Sequence, residues 1–196
     1  MPFYFRALLF LSLISLPAAI YAYVLEADKH VKHEQWTNKY DVYFKKYAIH
    51  YFGPLVDCHW FKAQGIAESN LNPKAKSRVG AKGIMQIMPA TYKEILKKNP
   101  YLPKTDEPRW NIAAGIFYDR MMYRKWKEKK TLPTTERLSL SFASYNAGLG
   151  TMLKAYKKAK KEHVDIKEWH QIKPYAPGET RFYVKRIKNL MQVTSN

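Results

Sequence analysis

The sequence lacks what several common kinds of functional site require. One of its 196 residues is a cysteine, Cys58, which excludes an intramolecular disulfide, a cysteine-based zinc finger and an iron–sulfur site. The six histidines form no HExxH pair, and His30 and His33 lie in a polar stretch typical of a solvated pair. No Gly-rich phosphate loop, GxGxxG, DxDxDG or GxSxG motif occurs. The sequence therefore offers no recognisable metal, nucleotide or serine-nucleophile site.

Acidic residues are also scarce. Lys and Arg total 34 against 16 Asp and Glu, which gives a formal net charge of +18. Such an excess indicates an anionic partner or anionic surroundings. Five of the eight residues from Lys154 to Lys161 are lysines, a pattern typical of a solvated helix face. No alternation of aromatic and basic residues like that of an RNA-recognition motif occurs, so nucleic acid is not the expected partner.

Charge is absent from the nineteen residues 7–25, between Arg6 and Glu26. A basic start, an apolar stretch and then small residues are typical of an export signal. Nineteen uncharged and mostly apolar residues could also just span a bilayer as an uncleaved anchor. We therefore predict a signal peptide or membrane anchor at 1–25 and a polar linker at 26–38, with both forms of the first segment left open.

Beyond residue 38, apolar residues recur at helical spacing and strand-like alternation is scarce. We predict an all-α domain over 39–196, built from six or seven short helices. Gly53-Pro54 should end an aromatic-rich first helix, and Gly148 should end the helix that carries Phe142. Predicted helix starts are the cap Asp57, the capping box Thr91 to Glu94 and the cap Asn111.

The segment from Trp60 to Thr91 is the most informative. Glu68 ends an apolar helix just before a polar turn, and the apolar stretch Gly83–Pro89 carries one amide, Gln86. A carboxyl against such a wall loses hydration, which raises its pKa. A general acid for glycosidic bond cleavage needs a pKa of about 6–7. Taken alone, however, Glu68 fits a solvent-facing residue at a helix end better than a catalytic acid.

Four ordered motifs carry a family resemblance. Residues 68–91, ESNLNPKAKSRVGAKGIMQIMPAT, resemble the signature of the soluble lytic transglycosylases of family 1, in the lysozyme-like superfamily. Three further segments are similar to the family's later motifs: NIAAGIFY at 111–118, ASYNAG at 143–148 and ETRFYVKRI at 179–187. The resemblance extends from Asp57 to Met191. One departure is the charged pair Asp119-Arg120 at positions that are usually apolar, which we expect to affect helix packing and to leave the active site untouched.

The resemblance implies a lysozyme-like fold of the goose-lysozyme and SLT type, with a groove, preceded here by the N-terminal apolar helix. It implies that Glu68 is the sole catalytic acid/base. The substrate-binding positions that it implies are Ser77 near the carboxyl and the N-acetyl group, Met85 lining the groove, Gln86 beside the scissile bond, Tyr145 and Asn146 beside Glu68, and Tyr183 across the cleft. We expect Tyr118 to lie in the core and Glu179 to have a structural or capping role.

The number of carboxylates bears on the reaction. Retaining glycosidases use two carboxyl groups about 5–5.5 Å apart and inverting ones place them about 6.5–9.5 Å apart. The motifs supply Glu68 alone, since Asp57 and Glu94 lie outside them. By resemblance, the protein cleaves the β-1,4 bond between N-acetylmuramic acid and N-acetylglucosamine without water, leaves a 1,6-anhydromuramic acid end and requires neither metal nor organic cofactor.

Two alternatives remain open at this stage: a hydrolase of the goose-lysozyme sort on the same scaffold, and a non-catalytic protein that binds the cell wall. The expected partner is peptidoglycan, whose stem-peptide carboxylates suit a basic protein. A secretion, conjugation or phage apparatus is a further candidate partner. The export signal predicts a location in the periplasm or cell envelope, with anchoring in the inner membrane as the second possibility.

Overall fold

Helices make up most of the computed structural model, which describes residues 36–103, 106–127 and 132–191. The eight α-helices in these ranges are α1 (Asp41–Phe52), α2 (His59–Ser69), α3 (Pro89–Lys98), α4 (Pro108–Trp126), α5 (Thr134–Ala147), α6 (Leu149–Ala159), α7 (Trp169–Ile172) and α8 (Gly178–Met191). A 3₁₀ helix, Lys173–Tyr175, follows α7. The number exceeds the expected six or seven because the four-residue α7 is too short to show a helical period.

The all-α class predicted from the sequence is confirmed. Extended pairing in the described ranges is limited to two isolated bridges, between Lys76 and Lys82 and between Lys82 and Ile87. Within the same ranges, no helix is both long and apolar enough to cross a membrane. The predicted signal or anchor at 1–25, its apolar helix and most of the predicted linker lie outside the described residues.

The long helix α4 forms the centre of the core. It packs against α1 on one side and against α5 on another, while α2 packs against α8. All residues from 111 to 119 except Phe117 are buried, among them Ile112 and Ile116. A helix apolar on most of its circumference is one that neighbours cover all round. Helix α4 therefore supports the loop between α2 and α3, to which its residue Asn111 is hydrogen-bonded.

Several helix ends follow the local chemistry of the sequence. Helix α2 begins at His59 with Cys58 at its capping position, one residue after the predicted cap Asp57, whose Oδ1 accepts a hydrogen bond of 2.9 Å from the His59 backbone N–H. Helix α5 ends at Ala147, and Gly148 follows at φ 82°, a left-handed value that glycine adopts without steric cost. The helix end predicted there is confirmed.

Two predicted helix starts are wrong. Helix α3 begins at Pro89 with no side-chain cap, so Thr91 and Glu94 lie inside its first turns. Helix α4 begins at Pro108, three residues before Asn111. In both cases proline occupies the first helical position, where its fixed φ suits the helix and its missing N–H costs nothing. The side chain of Asn111 is thereby released for a different role.

Candidate active site

Glu68 lies in the last turn of α2, and the backbone reverses immediately after it. Asn70 closes the helix in the left-handed conformation at φ 53°, and Leu71 follows at φ 60°. Asparagine tolerates this region, but for leucine it costs about 1–3 kcal/mol. The cost is offset by burial, because Leu71 packs into the space left by the missing side chain of Gly65. The strained reversal fixes where the Glu68 carboxyl points.

The Glu68 carboxyl is partly buried and has one close partner. Tyr183, on α8, donates a hydrogen bond of 2.6 Å to Oε1. Burial raises the pKa of Glu68 from 4.5 to about 7, the Tyr183 bond lowers it, and the negative charge of Glu179 adds to the rise. Desolvation therefore outweighs the hydrogen bond that favours the carboxylate. The resulting pKa lies in the range where a group both gives and takes a proton near neutral pH.

The loop between α2 and α3 is held against α4 by Asn111. Its Oδ1 accepts a 2.8 Å hydrogen bond from the Met85 backbone N–H, and its Nδ2 donates a 3.1 Å bond to the Lys82 carbonyl. Gly83 lies between these two anchors at φ 76°, where an added Cβ would come within 2.5 Å of Asn111 Nδ2. Gly83 in the first motif and Asn111 in the second are therefore coupled, because the Asn111 amide leaves no room for a side chain at position 83.

Two more hydrogen bonds tie this loop to the helices around Glu68. Ser69 Oγ donates a 2.8 Å bond to the Ile84 carbonyl, and the Tyr145 hydroxyl donates a 2.7 Å bond to the Met85 carbonyl. Burial foremost, then the charge of Glu68, raises the pKa of Tyr145 well above its ordinary value. The ring of Tyr118 meets the Tyr145 ring edge-on, with centroids 5.4 Å apart, and is buried as expected. Tyr145 is therefore kept neutral beside the carboxyl.

Gln86 and Ser77 stabilise the loop itself. Gln86, at φ 43°, donates from Nε2 to the carbonyls of Gly83 (2.9 Å) and Ala75 (3.2 Å). Its amide oxygen takes part in neither bond. Ser77 Oγ accepts a 2.9 Å bond from the Ala81 backbone N–H. The substrate contacts expected of Gln86 and Ser77 remain predictions, while their bonds to the loop backbone are what the structure gives.

Met85 differs from the expectation that it lines the groove. Its side chain has no exposed surface and packs against Gly115, where an added Cβ would lie 2.7 Å from Met85 Cγ. Its backbone, not its side chain, therefore serves the site through the Tyr145 bond. Asn146 is exposed, and its Oδ1 accepts a 2.7 Å hydrogen bond from the Thr180 hydroxyl. This bond joins the end of α5 to the start of α8.

Two acidic residues near Glu68 were not assigned to the site from the sequence. Glu179 is exposed in the first turn of α8, and its charge acts on Glu68. Asp119, on α4, is wholly buried and receives a 3.3 Å hydrogen bond from Gln64 Nε2. Burial foremost raises the pKa of Asp119, the Gln64 hydrogen bond lowers it, and the charge of Glu68 adds to the rise. Asp119 is thus buried within electrostatic range of Glu68, while the expectation that the Asp119-Arg120 departure leaves the active site untouched stays a prediction.

Among the described residues, one cluster brings three potential metal ligands together, namely Asp57, Cys58 and His59, whose ligand atoms lie within 4.8 Å of one another. Asp57 Oδ1 is already engaged there by His59 Nδ1 at 2.6 Å. The cluster lies at the start of α2, about 15 Å along the helix from Glu68 at a rise of about 1.5 Å per residue. It has no part in the chemistry of the Glu68 carboxyl.

Comparisons with known proteins identify the family. The family model of the transglycosylase SLT domain matches residues 56–168. The chain is 31% identical to the membrane-bound lytic murein transglycosylase F of Shewanella halifaxensis over 76% of this chain and 29% of that protein. The corresponding protein of Yersinia enterocolitica is 30% identical over 67% of this chain and 28% of its own. The chain thus spans less than a third of the curated relatives that it matches.

Solved structures have the same fold. The 70 kDa soluble lytic transglycosylase SLT70 of Escherichia coli matches 80% of this chain and 24% of its own, with a TM-score of 0.61 and 27% identity. A complex of the 70 kDa soluble lytic transglycosylase with bulgecin A matches with a TM-score of 0.63 and 28% identity, over 78% of this chain and 23% of its own. The predicted lysozyme-like helical fold of the SLT type is confirmed. Since the family model covers more than half of the sequence, the chain belongs to the transglycosylase SLT domain family.

Proposed function

We propose that the protein is a peptidoglycan lytic transglycosylase that cleaves the β-1,4 bond between N-acetylmuramic acid and N-acetylglucosamine and leaves 1,6-anhydromuramic acid ends. The observation that carries the proposal is the Glu68 carboxyl, whose pKa of about 7 lies at the value that a combined acid and base needs. Glu68 also falls within the segment that the family model matches.

The reaction requires one proton carrier that works twice. Protonated Glu68 gives its proton to the glycosidic oxygen as the bond from C1 of the muramoyl residue breaks. The carboxylate left behind takes the proton of the C6 hydroxyl, whose oxygen bonds to C1 and closes the anhydro ring. Glu68 ends protonated, as it began, and no water is consumed. Ring closure within one bound sugar also gains from effective molarity.

Tyr183 and Tyr145 fit supporting roles in this cycle. The Tyr183 hydroxyl donates to Glu68 Oε1, which stabilises the carboxylate formed between the two proton transfers. Tyr145 stays neutral and holds the Met85 carbonyl, so it preserves the wall beside the carboxyl without adding charge. The exposed amide of Asn146 and the amide oxygen of Gln86 are the polar groups that we expect to contact sugar hydroxyls or the N-acetyl group.

A hydrolase of the goose-lysozyme sort is the second candidate, and Glu179 is the observation that favours it. A hydrolase needs another carboxylate to position water. Asp57 lies just before the start of α2, at the far end from Glu68, and Asp119 is wholly buried. Glu179 is exposed and its charge acts on Glu68, so it is the residue to test for that role.

The deciding experiment is mass spectrometry of the products that the full chain releases from isolated peptidoglycan, with Glu68→Gln and Glu179→Gln as companions. We expect 1,6-anhydro ends from the wild type and from Glu179→Gln, and none from Glu68→Gln. Reducing ends that disappear in Glu179→Gln would establish the hydrolase instead. Binding to peptidoglycan without any product would support the non-catalytic wall-binding protein.

The predicted chain organisation supports a location in the cell envelope. We propose that 1–25 exports or anchors the chain, that 26–38 is a linker and that 39–196 is the catalytic domain, acting on peptidoglycan in the periplasm. The relatives named membrane-bound lytic murein transglycosylase F agree with such a location. Service to a secretion, conjugation or phage apparatus remains a candidate role. Cell fractionation, with the size of the mature chain measured by mass spectrometry, tests export, cleavage and anchoring together.

A further inference from the structure

Asp119 occupies an unusual place for a carboxyl group. It lies in the middle of α4 with no exposed surface, and its Oδ1 accepts a 3.3 Å hydrogen bond from Gln64 Nε2 on α2. The backbone carbonyl of Asp119 also accepts a 2.7 Å bond from the Ser141 hydroxyl on α5. Gln64 precedes Glu68 by four residues, so the two share one face of α2. The Asp119 contact therefore joins α4 to α2 one turn before the catalytic carboxyl.

The two side chains leave two acceptor atoms without partners. Asp119 Oδ2 and Gln64 Oε1 are both buried, and neither receives a hydrogen bond from any residue in the described ranges. Buried polar atoms are normally paired, so an orphan on each member of one contact needs a physical cause. A carboxylate and an amide oxygen are both acceptors and cannot pair with each other. A proton on Oδ2 removes the conflict, because Asp119 would then carry an O–H donor and the amide oxygen of Gln64 is an unpaired acceptor on its hydrogen-bond partner.

We propose that Asp119 is a positioning residue for Glu68 that works as a neutral carboxylic acid, donating from Oδ2 to Gln64 Oε1 while accepting at Oδ1 from Gln64 Nε2. The inference rests on the proposed function, because it concerns the placement of the acid/base of that reaction. The two hydrogen bonds form a planar acid–amide pair that fixes the turn of α2 before Glu68 against α4. A single bond would leave the amide free to rotate.

The surroundings of Asp119 disfavour its charged form. Burial foremost, and the charge of Glu68, raise its pKa well above the ordinary value, whereas the Gln64 bond lowers it. The titratable groups that act with it from the packed elements are Glu68 on α2, Tyr145 on α5 and Tyr183 on α8. In the described part of the chain no cation forms an ion pair with Asp119. The guanidinium of neighbouring Arg120 instead lies over the ring of Phe52, 5.2 Å from its centroid.

The protonation state of Asp119 affects the acid/base role proposed for Glu68. An ionised Asp119 would place a second negative charge under Glu68 and would raise the pKa of Glu68 further. Glu68 would then hold its proton through the step in which it must act as a base. A neutral acid–amide pair joins α4 to α2 by hydrogen bonds without raising the pKa of Glu68. An apolar side chain at position 119 would form no such bonds.

The protonation state can be measured without any enzymatic activity. We would record infrared spectra of the full chain at pH 8 in the Glu68→Gln background, with and without Asp119→Asn. We expect the C=O stretch of a protonated carboxylic acid in Glu68→Gln and its loss in the double variant, since other carboxyl groups of ordinary pKa are ionised at that pH. A Glu68→Gln spectrum that lacks this band would overturn the proposal, because Asp119 would then be a carboxylate.

The positioning role is tested by kinetics on peptidoglycan fragments. Asp119→Asn can form the same two bonds with Gln64, so we expect it to retain most of the activity and the same basic limb of the kcat/KM profile. Asp119→Leu leaves the Gln64 amide unpaired, and we expect about a tenfold loss in kcat with little change in KM. Equal losses in both variants, or a downward shift of the basic limb in Asp119→Asn, would contradict a neutral positioning acid.

Folding and the proposed function are controlled separately. If Asp119→Leu does not fold, the double variant Gln64→Leu/Asp119→Leu replaces the pair by apolar groups and supplies a folded protein for the same comparison. We expect it to lose kcat like the single variant, and full activity in it would refute positioning by the pair. Failure of the proposed function would appear differently, as a wild type that yields no anhydro ends.

Discussion

Replacing Glu68 by glutamine should stabilise the protein, and by an amount that depends on pH. The pKa of Glu68 rises from 4.5 to about 7 on folding, mainly because of burial. A carboxyl with a raised pKa contributes its full stability below its unfolded pKa and loses it as pH rises through the folded one. At pH 8 the wild type has therefore lost a contribution that the neutral glutamine side chain of the variant never loses.

The magnitude follows from the size of the shift. One pKa unit corresponds to about 1.4 kcal/mol, so this shift corresponds to about 3 kcal/mol in the free energy of unfolding. Glutamine keeps the size of the side chain and an oxygen that can accept the Tyr183 hydrogen bond. We therefore expect Glu68→Gln to match the wild type at pH 4 and to exceed it by up to about 3 kcal/mol at pH 8, with most of the difference arising between pH 4.5 and 7.

The assay is urea denaturation of the full chain at pH 4, 6 and 8, with slopes compared to check that both proteins unfold alike. Glu94→Gln is the matched control, because Glu94 is exposed on α3 and a surface change of this kind alters stability by about 0.5 kcal/mol or less. A stability difference for Glu68→Gln that is the same at pH 4 and pH 8 would refute the reasoning. So would a wild type that is more stable than the variant at pH 8.

Three further predictions follow from the same geometry. Tyr183→Phe removes the hydrogen bond that favours the carboxylate, so the pKa of Glu68, read from the basic limb of kcat/KM against pH, should rise by about one unit or more; an unchanged limb would contradict this. Gly83→Ala drives a Cβ to within 2.5 Å of Asn111 Nδ2 at a left-handed φ, so the free energy of unfolding should fall by about 2 kcal/mol or more in urea titrations; wild-type stability would show that the loop can shift freely. Binding to isolated peptidoglycan should weaken as salt rises in a sedimentation assay, because the net charge of +18 acts through exposed side chains screened beyond about 8 Å at physiological ionic strength; binding that ignores salt would exclude charge as its cause.

Local sequence chemistry predicted the helices better than it predicted where they start. Helical periodicity and Gly148 located α5 correctly because both act within a few residues. The starts at Pro89 and Pro108 were missed because Thr91 and Asn111 also match capping patterns. Pattern alone does not decide between a proline at the first position and a polar cap three residues later.

The apolar surroundings of Glu68 were predictable from the sequence, and the contacts that support it were less so. An apolar wall beside Glu68 was visible in the sequence, and the raised pKa agrees with it. The role of Asn111 depends on a bond to Met85, 26 residues away in sequence, which no local pattern encodes. The burial of the Met85 side chain depends in turn on the missing side chain of Gly115.

The sequence did not indicate where the Asp119 side chain lies. A charged residue in a helix of unknown orientation is most simply placed at the surface, since isolated buried charges are costly. The direction in which position 119 faces is set by packing on Gln64 and Ser141, from two other helices. Only the assembled tertiary structure indicates that this carboxyl is internal.

The bond between Tyr183 and Glu68 joins residues 115 positions apart. Bringing such distant segments together requires closure of a long loop, which contributes to folding rate more than to final stability. The acid and its hydrogen-bond partner therefore meet only when α2 and α8 have both docked. Under the proposed function, enzymatic turnover would serve as a reporter of complete folding. A chain arrested before α8 joins would carry every residue of the first motif and yet lack the Tyr183 bond to Glu68.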